Sequence, residues 1–268
     1  VSGKYWKDVA VIRFERDGTV ICNSLAHAPT EAEQEAIMKE VADCEWPQLK
    51  LMKQMINPPK MIKNATKDQI FEFRNLDGDL VMIQVRIETD DDKKYVPWTY
   101  WDDDEWRCME PDGELPLYNL ERIKEAAVVF IHEGAKAARY CQWMVDGKST
   151  EAKKALEAHP WGIELAHSVH LGWIGGALSP YRTDWAPLRK AGIQRAYIVA
   201  DNDDPGRSAV PAISREIRIP TFAIQFTDEF PSSFDMADPF PATLFGNADA
   251  SSFYVGPSFR DCLHPATW

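Results

Sequence analysis

The sequence predicts an α/β protein in which a parallel sheet flanked by helices follows a smaller α+β region rich in antiparallel strands. Three observations predict it. Two short apolar runs, 126–131 and 196–200, each end in carboxylates and a glycine, with sequence of helical character after them. Upstream, Val81, Ile83, Val85 and Ile87 alternate with Met82, Gln84, Arg86 and Glu88, the period of a half-buried antiparallel strand. After Pro111-Asp112-Gly113 the pattern changes from strand after strand to strands alternating with helices.

Taken in order, 9–14 and 20–22 flank Asp17-Gly18, a hairpin signal. Residues 30–44 read as a helix opened by a capping box, Thr30 with Glu33. Pro47, Pro58 and Pro59 bracket a connector rich in Lys and Met. A second hairpin pairs 70–74 with 80–88 around Asp77-Gly78, and further strand sequence runs through 95–109. The boundary falls near Leu115, giving an N-terminal α+β region over 1–114, an α/β domain over 115–245 and a tail over 246–268. Residues 148–170 read as an added helix and loop. Pro211 predicts that the helix after Arg207 is kinked or starts near Ser208.

A chain of 268 residues, 45% hydrophobic and 27% charged, fits a soluble globular protein. No apolar run reaches membrane-spanning length and no positively charged leader precedes an apolar stretch, so the expected compartment is the cytoplasm, or the host cytoplasm if the chain is phage-encoded. The first residue is Val1, as expected of a piece of a longer chain. Five scattered cysteines without a Cys-x-x-Cys pair argue against a disulfide scaffold and a zinc ribbon. His159, His167 and His170 read as loop histidines, since no companion Cys or carboxylate spacing supports a metal. The net charge of −12 weakens long-range attraction to nucleic acid, although Lys136, Arg139, Arg182, Arg189, Lys190, Arg195 and Arg207 form a local basic strip.

The chemistry concentrates in two clusters. The first is Glu133-Gly134, followed by Ala135-Lys136-Ala137-Ala138; the second is Asp201-Asn202-Asp203-Asp204-Pro205-Gly206-Arg207. Ligands of open α/β sheets bind at the carboxyl ends of the strands, so both clusters can meet in one crevice. Carboxylates converging there repel one another unless cations lie between them, and an oxygen-only set suits Mg²⁺ or Mn²⁺ and phosphoryl chemistry. The bland alternative makes Asp204 a helix N-cap with Pro205 at the first helical position. Trp98, Tyr100, Trp101 and Trp106 could form a stacking platform for single-stranded bases, but alternating hairpin packing is the favoured reading.

Strand–Glu133-Gly134–helix followed by strand–DNDDPGR–helix resembles the TOPRIM domain of topoisomerases and bacterial-type primases. The form is similar to that of phage and plasmid primases and primase-helicases. Gly175-Gly176-Ala177 lies between the clusters, and Phe234-Asp235-Met236-Ala237-Asp238 follows the second. Asp77-Gly78, Arg86, Lys93-Lys94, Trp101, Trp106 and 116–120 resemble the segment that precedes TOPRIM in that group, so the likeness spans roughly residues 70 to 240.

The resemblance implies a TOPRIM-like, Rossmann-type sheet and primer synthesis on single-stranded DNA by Mg²⁺-dependent nucleotidyl transfer. It implies Asp201 and Asp203 as metal ligands, Asp204 as an additional one, and Glu133 as general base or further ligand. Lys136 and Arg207 would meet a triphosphate, with Gly134, Gly175, Gly176 and Gly206 letting backbone approach phosphate. Arg86, Lys94, Trp101 and Trp106 are candidate template contacts, and Asp235 with Asp238 a supporting pair. The implied partners are single-stranded DNA, nucleoside triphosphates and a replicative helicase or fused helicase domain; the missing Cys-x-x-Cys pair and the lack of a long apolar run add the expectations of no zinc held by this chain and no membrane. A TOPRIM-type nuclease that cleaves phosphodiesters, and a non-catalytic replisome module binding DNA or a partner, are the alternatives.

Overall fold

A computed structural model describes residues 9–14, 20–24, 30, 32, 47–88, 93–177, 179–227, 229–241 and 262–265. The turn at Asp17-Gly18, nearly all of the helix expected over 30–44, and most of the tail over 246–268 lie outside the described residues. The chain divides into two compact units, Val1–Gln48 and Leu49–Trp268. In the first, β1 (Val9–Phe14) and β2 (Val20–Ser24) pair antiparallel, as the hairpin signal predicts.

The second unit opens with a short helix, α1 (Lys60–Asn64), and four antiparallel strands: β3 (Ile70–Arg74), β4 (Leu80–Glu88), β5 (Lys93–Tyr100) and β6 (Trp106–Arg107). The β3–β4 turn carries Gly78 at φ 78°, which a glycine adopts without Cβ strain. Strand β4 departs from the expected alternation because both of its faces are covered. Ile83 and Val85 pack with Met52 and Ile62, while Met82 packs with Phe71, Phe73, Ala135 and Ile174. The second face is therefore closed by the α/β layer, which a pattern read along one strand does not reveal.

That layer alternates as predicted. Strand β7 (Val128–Glu133) leads to α2 (Ala135–Asp146), then α3 (Thr150–Ala158), α4 (Gly162–Leu165) and β8 (Val169–Trp173). Next come α5 (Ala186–Lys190), β9 (Arg195–Val199), α6 (Asp204–Ile217), β10 (Thr221–Ile224) and β11 (Leu263–Pro265). The sheet order is β11-β10-β9-β7-β8, with β10, β9, β7 and β8 parallel and β11 antiparallel to β10.

Successive residues of β7 enter opposite cores, as expected of a parallel strand buried on both sides. Val129 and Ile131 join Leu188 of α5 and Ile213 of α6, whereas Phe130 joins Cys141 and Met144 of α2 and Trp161. The segment expected as an added helix and loop is two helices, α3 and α4. Ser149 caps α3 by accepting from the Ala152 N–H at 3.1 Å, and Trp161 anchors the turn between them, 1% exposed.

Helix α6 corrects the later start near Ser208 that Pro211 suggests. The helix starts at Asp204 and runs through Pro211 to Ile217. Pro211 lies on its exposed face, where water can satisfy the carbonyl that loses its partner, while Val210, Ile213 and Ile217 hold the other face to the core.

Candidate functional site

Strands β7 and β9 are neighbours and parallel, so Glu133 at the end of one and Asp201 just past the end of the other share the carboxyl edge of the sheet. The turns holding them are tight. Gly134 has φ 85°, and a Cβ on Gly172 of β8 would lie 2.6 Å from the Gly134 carbonyl oxygen. A Cβ on Gly206 would lie 2.5 Å from the Asp201 carbonyl oxygen. Gly206 thus seats the first turn of α6 on the strand end.

Alanine normally outperforms glycine within a helix by about 1 kcal/mol. At Gly206 the backbone contact reverses the sign: Gly206→Ala is expected to destabilise the protein by about 2 kcal/mol, read from chemical denaturation. A stabilised Gly206→Ala would contradict the close packing of this turn.

Glu133 Oε2 accepts from the Asp201 backbone N–H at 3.3 Å, and the Ala177 N–H also donates to this carboxylate. Burial nevertheless raises the Glu133 pKa above the usual carboxylate range, with the Asp203 charge adding to it. Asp201 is more strongly perturbed. Its pKa is pushed up to about 8, first by burial and then by Glu133, Asp235, Asp203 and Asp238 around it. No side chain or backbone N–H among the described residues donates to its carboxylate.

Asp203 lies close enough to repel both, while its Oδ1 caps α6 by accepting from the Gly206 N–H at 2.7 Å. The N-cap is therefore Asp203, not Asp204. Asp204 turns outward, its side chain 93% exposed, and pairs with Arg207 at 2.7 Å; Arg207 also donates to Asn202 at 3.1 Å. Asp204 and Arg207 line a separate hollow with Phe230 and Ser232, away from Glu133.

Lys136, expected to meet a triphosphate, binds Asp235 at 3.0 Å and Asp238 at 3.3 Å. The pair Asp235 and Asp238 is organised within itself as well. The Asp235 N–H donates to Asp238 at 3.0 Å, and the Ala237 N–H donates to Asp235 at 2.6 Å. The second acidic segment is thus a turn clamped to the start of α2 by one ammonium.

Glu133, Asp201, Lys136 and Asp235 line a cleft of about 400 Å³ between the two layers, whereas Asp203 lines the outer hollow with Asp204 and Arg207. Glu133, Asp201, Lys136 and Asp235 form one wall, and Gln84, Lys93 and Tyr95 of the antiparallel sheet form the other. Gly175 and Gly176, at φ 88° and 71°, bring the backbone after β8 to the same cleft.

The candidate template residues are dispersed. Lys94 is in register with Ile87, so by strand alternation it faces away from the cleft, while Lys93 lines it. Arg86 pairs with Glu88 at 2.5 Å. Trp101 is 5% exposed, its indole donates to Thr99 at 2.9 Å, and Arg107 covers its ring. The Trp106 indole donates to the Ile56 carbonyl at 2.8 Å and its ring packs on Tyr100 at 5.3 Å. Both tryptophans fill the hairpin as packing residues.

The expectation that this chain holds no zinc, drawn from the missing Cys-x-x-Cys pair, finds no support. His132, Cys141 and His170 converge in the core with one ligand atom each, all within 4.8 Å of one another, and the group could hold a metal ion. The companions of His170 come from β7 and α2, so no local spacing could announce them. The two imidazoles also contact each other at 2.8 Å, and burial lowers the pKa of both, to about 3 for His132.

The sheet and its edge define the class first: an α/β protein with an acidic crevice at the carboxyl ends of parallel strands. Solved structures that it resembles include DNA primase domains. A primase domain from Pseudomonas aeruginosa is 14% identical, with 63% of this chain and 44% of that one covered and a TM-score of 0.40. The primase fragment of the bacteriophage T7 primase-helicase is also 14% identical, with 63% and 55% covered and a TM-score of 0.41. The zinc-binding and RNA polymerase domains of the Aquifex aeolicus primase are 18% identical, with 78% and 45% covered and a TM-score of 0.37. The matched part spans about half the length of these chains. No protein-family model matches the chain, and no curated protein does.

Proposed function

We propose that residues 115–245, with the antiparallel layer before them, form the catalytic region of a DNA primase that makes short primers on single-stranded DNA. One observation carries the reading: Asp201 is a crowded carboxylate at a parallel-strand end with no donor, while the nearby ammonium of Lys136 is held by Asp235 and Asp238. A buried charge without a partner calls for a cation or a proton. The donor set of Asp201, Asp203 and Glu133 is all oxygen and suits Mg²⁺ or Mn²⁺.

Asp201 and Asp203 are the ligands this chain offers. The bound ion would neutralise substrate phosphates and stabilise the attacking and leaving oxygens. Glu133, oriented by the Asp201 N–H and raised in pKa by burial, is suited to accept the proton of a 3′-hydroxyl as it attacks an α-phosphorus and pyrophosphate leaves. Gly175 and Gly176 offer a backbone without side chains beside the phosphates. Among the described residues no helix is long and apolar enough to cross a membrane. A helicase, separate or fused, would supply the moving template.

The test is single-stranded template, labelled nucleotides and Mg²⁺ with this chain. Short template-dependent oligomers are the expected product. Template cleavage instead would assign the same site to a nuclease, and neither product at any Mg²⁺ or Mn²⁺ concentration would leave a non-catalytic module.

A further inference from the structure

Gln84 occupies the middle of β4 and is only 9% exposed. Its cross-strand neighbours are Phe71 and Pro97, neither of which offers a side-chain hydrogen bond. Among the described residues its side-chain amide has no hydrogen-bond partner, and the residue lines the cleft. An amide carries two donors and an acceptor, and those of Gln84 are available to a ligand in the cleft. Strand position and burial alone would favour an aliphatic or β-branched side chain here.

A second group on the same wall points the same way. Tyr95 is in register with Arg86, two pairs along from Gln84 and Pro97, so the Tyr95 and Gln84 side chains share the cleft face. The charges that act on its phenol include Arg86, Lys136, Asp235 and Asp201, which sets it across from the acidic wall. The cleft therefore has one wall dominated by carboxylates and an opposite wall on which Gln84 and Tyr95 offer neutral hydrogen-bonding groups beside Lys93. A ligand matching both has anionic phosphates bridged by a cation at one end and an uncharged polar body at the other.

Resting on the reading of this site as one for nucleotidyl transfer, we propose that Gln84, with Tyr95 beside it, is the specificity-determining contact for the sugar or base of a bound nucleoside triphosphate. Phosphate affinity comes from the acidic wall and its cation; discrimination among nucleotides comes from the antiparallel sheet. A ribose hydroxyl and a base edge share the chemistry an amide reads, so the two sources are separated by the ligands compared.

The experiment measures equilibrium binding in Mg²⁺, without template, of the four ribonucleoside triphosphates, their deoxy counterparts and inorganic triphosphate. Wild type, Gln84→Met, Gln84→Leu and Tyr95→Phe are compared, each with its melting temperature as a check of the fold. Wild type is expected to bind some nucleotides more tightly than others. Gln84→Met, close in shape and without the amide, is expected to lose about tenfold for the preferred nucleotide, to flatten the ranking and to leave inorganic triphosphate unchanged. A ranking flattened between ribo and deoxy forms identifies the sugar as the contact; one flattened among the four bases identifies the base. If folded Gln84→Met and Gln84→Leu keep the wild-type ranking, the inference is overturned while the site reading stands. If wild type binds neither nucleotides nor triphosphate, the site reading itself falls, and the inference with it.

Discussion

Asp201→Asn is expected to abolish primer synthesis, by roughly three orders of magnitude or more, and at the same time to stabilise the cation-free protein. The two effects share one cause. The native Asp201 pKa is about 8 against an ordinary value of 3.8, so the native state holds a proton that the unfolded chain releases. Its contribution to stability is therefore fully present below about pH 4 and lost as pH rises towards 8. Between roughly pH 7 and 8.5, above the titration of unfolded histidines, the melting temperature of the cation-free wild type should fall as pH rises. The substituted amide carries no charge to bury, so the slope should flatten and the melting point at about pH 8 should rise. Mg²⁺ binds the charged form, and its stabilising effect on wild type should grow over the same window. Scanning calorimetry with and without Mg²⁺ checks all three, and an unaltered slope in Asp201→Asn would sink the assignment.

Lys136→Met is expected to destabilise the protein by about 1–2 kcal/mol, roughly 2–8 °C in melting temperature, and to impair activity sharply. Its ammonium is the charge that holds Asp235 and Asp238, and those carboxylates already press on Asp201. The effect is smaller than for a fully buried pair because Asp238 is 39% exposed in its side chain, where water screens the attraction. If the clamp is the cause, Asp235→Asn should recover much of the stability lost in Lys136→Met, which a double-mutant cycle measures. A full loss of activity with stability unaffected would point instead to direct contact with substrate.

Much of this architecture is legible in the sequence for a local reason. β7 and β9 are short apolar runs that end where carboxylates and glycines begin, and the turns after them need those glycines. The β3–β4 hairpin is equally plain, since its turn and its alternation lie within one short stretch. Strand β8 does not read as a strand, because His170, Gly172 and Trp173 break its apolar character. His170 is accounted for by groups brought from other elements, among them His132, Gln142 and Asn119. Lys136 reads as a phosphate ligand because its place just inside a helix invites anions; that it also holds Asp235 and Asp238, about a hundred residues later, is not legible locally. Gln84 reads as the solvent side of an amphipathic strand, until a second layer covers that side. Each miss concerns what the far parts of the chain bring to a place, which local periodicity does not encode.

Strand β11 sets where this protein can be cut. Leu263 to Pro265 pair with Phe222 to Ile224, Cys262 is buried in the same core as Phe226 and Met236, and the Gln225 N–H donates to the Cys262 carbonyl at 2.8 Å. Shortening the chain at 245, just past the last motif residue, would strip β10 of its outer neighbour. The row of backbone donors and acceptors so exposed is a template for pairing with another molecule. Soluble expression of a minimal catalytic fragment is therefore a question of sheet-edge protection: pieces ending at 245 should self-associate, while pieces reaching 268 should remain dispersed.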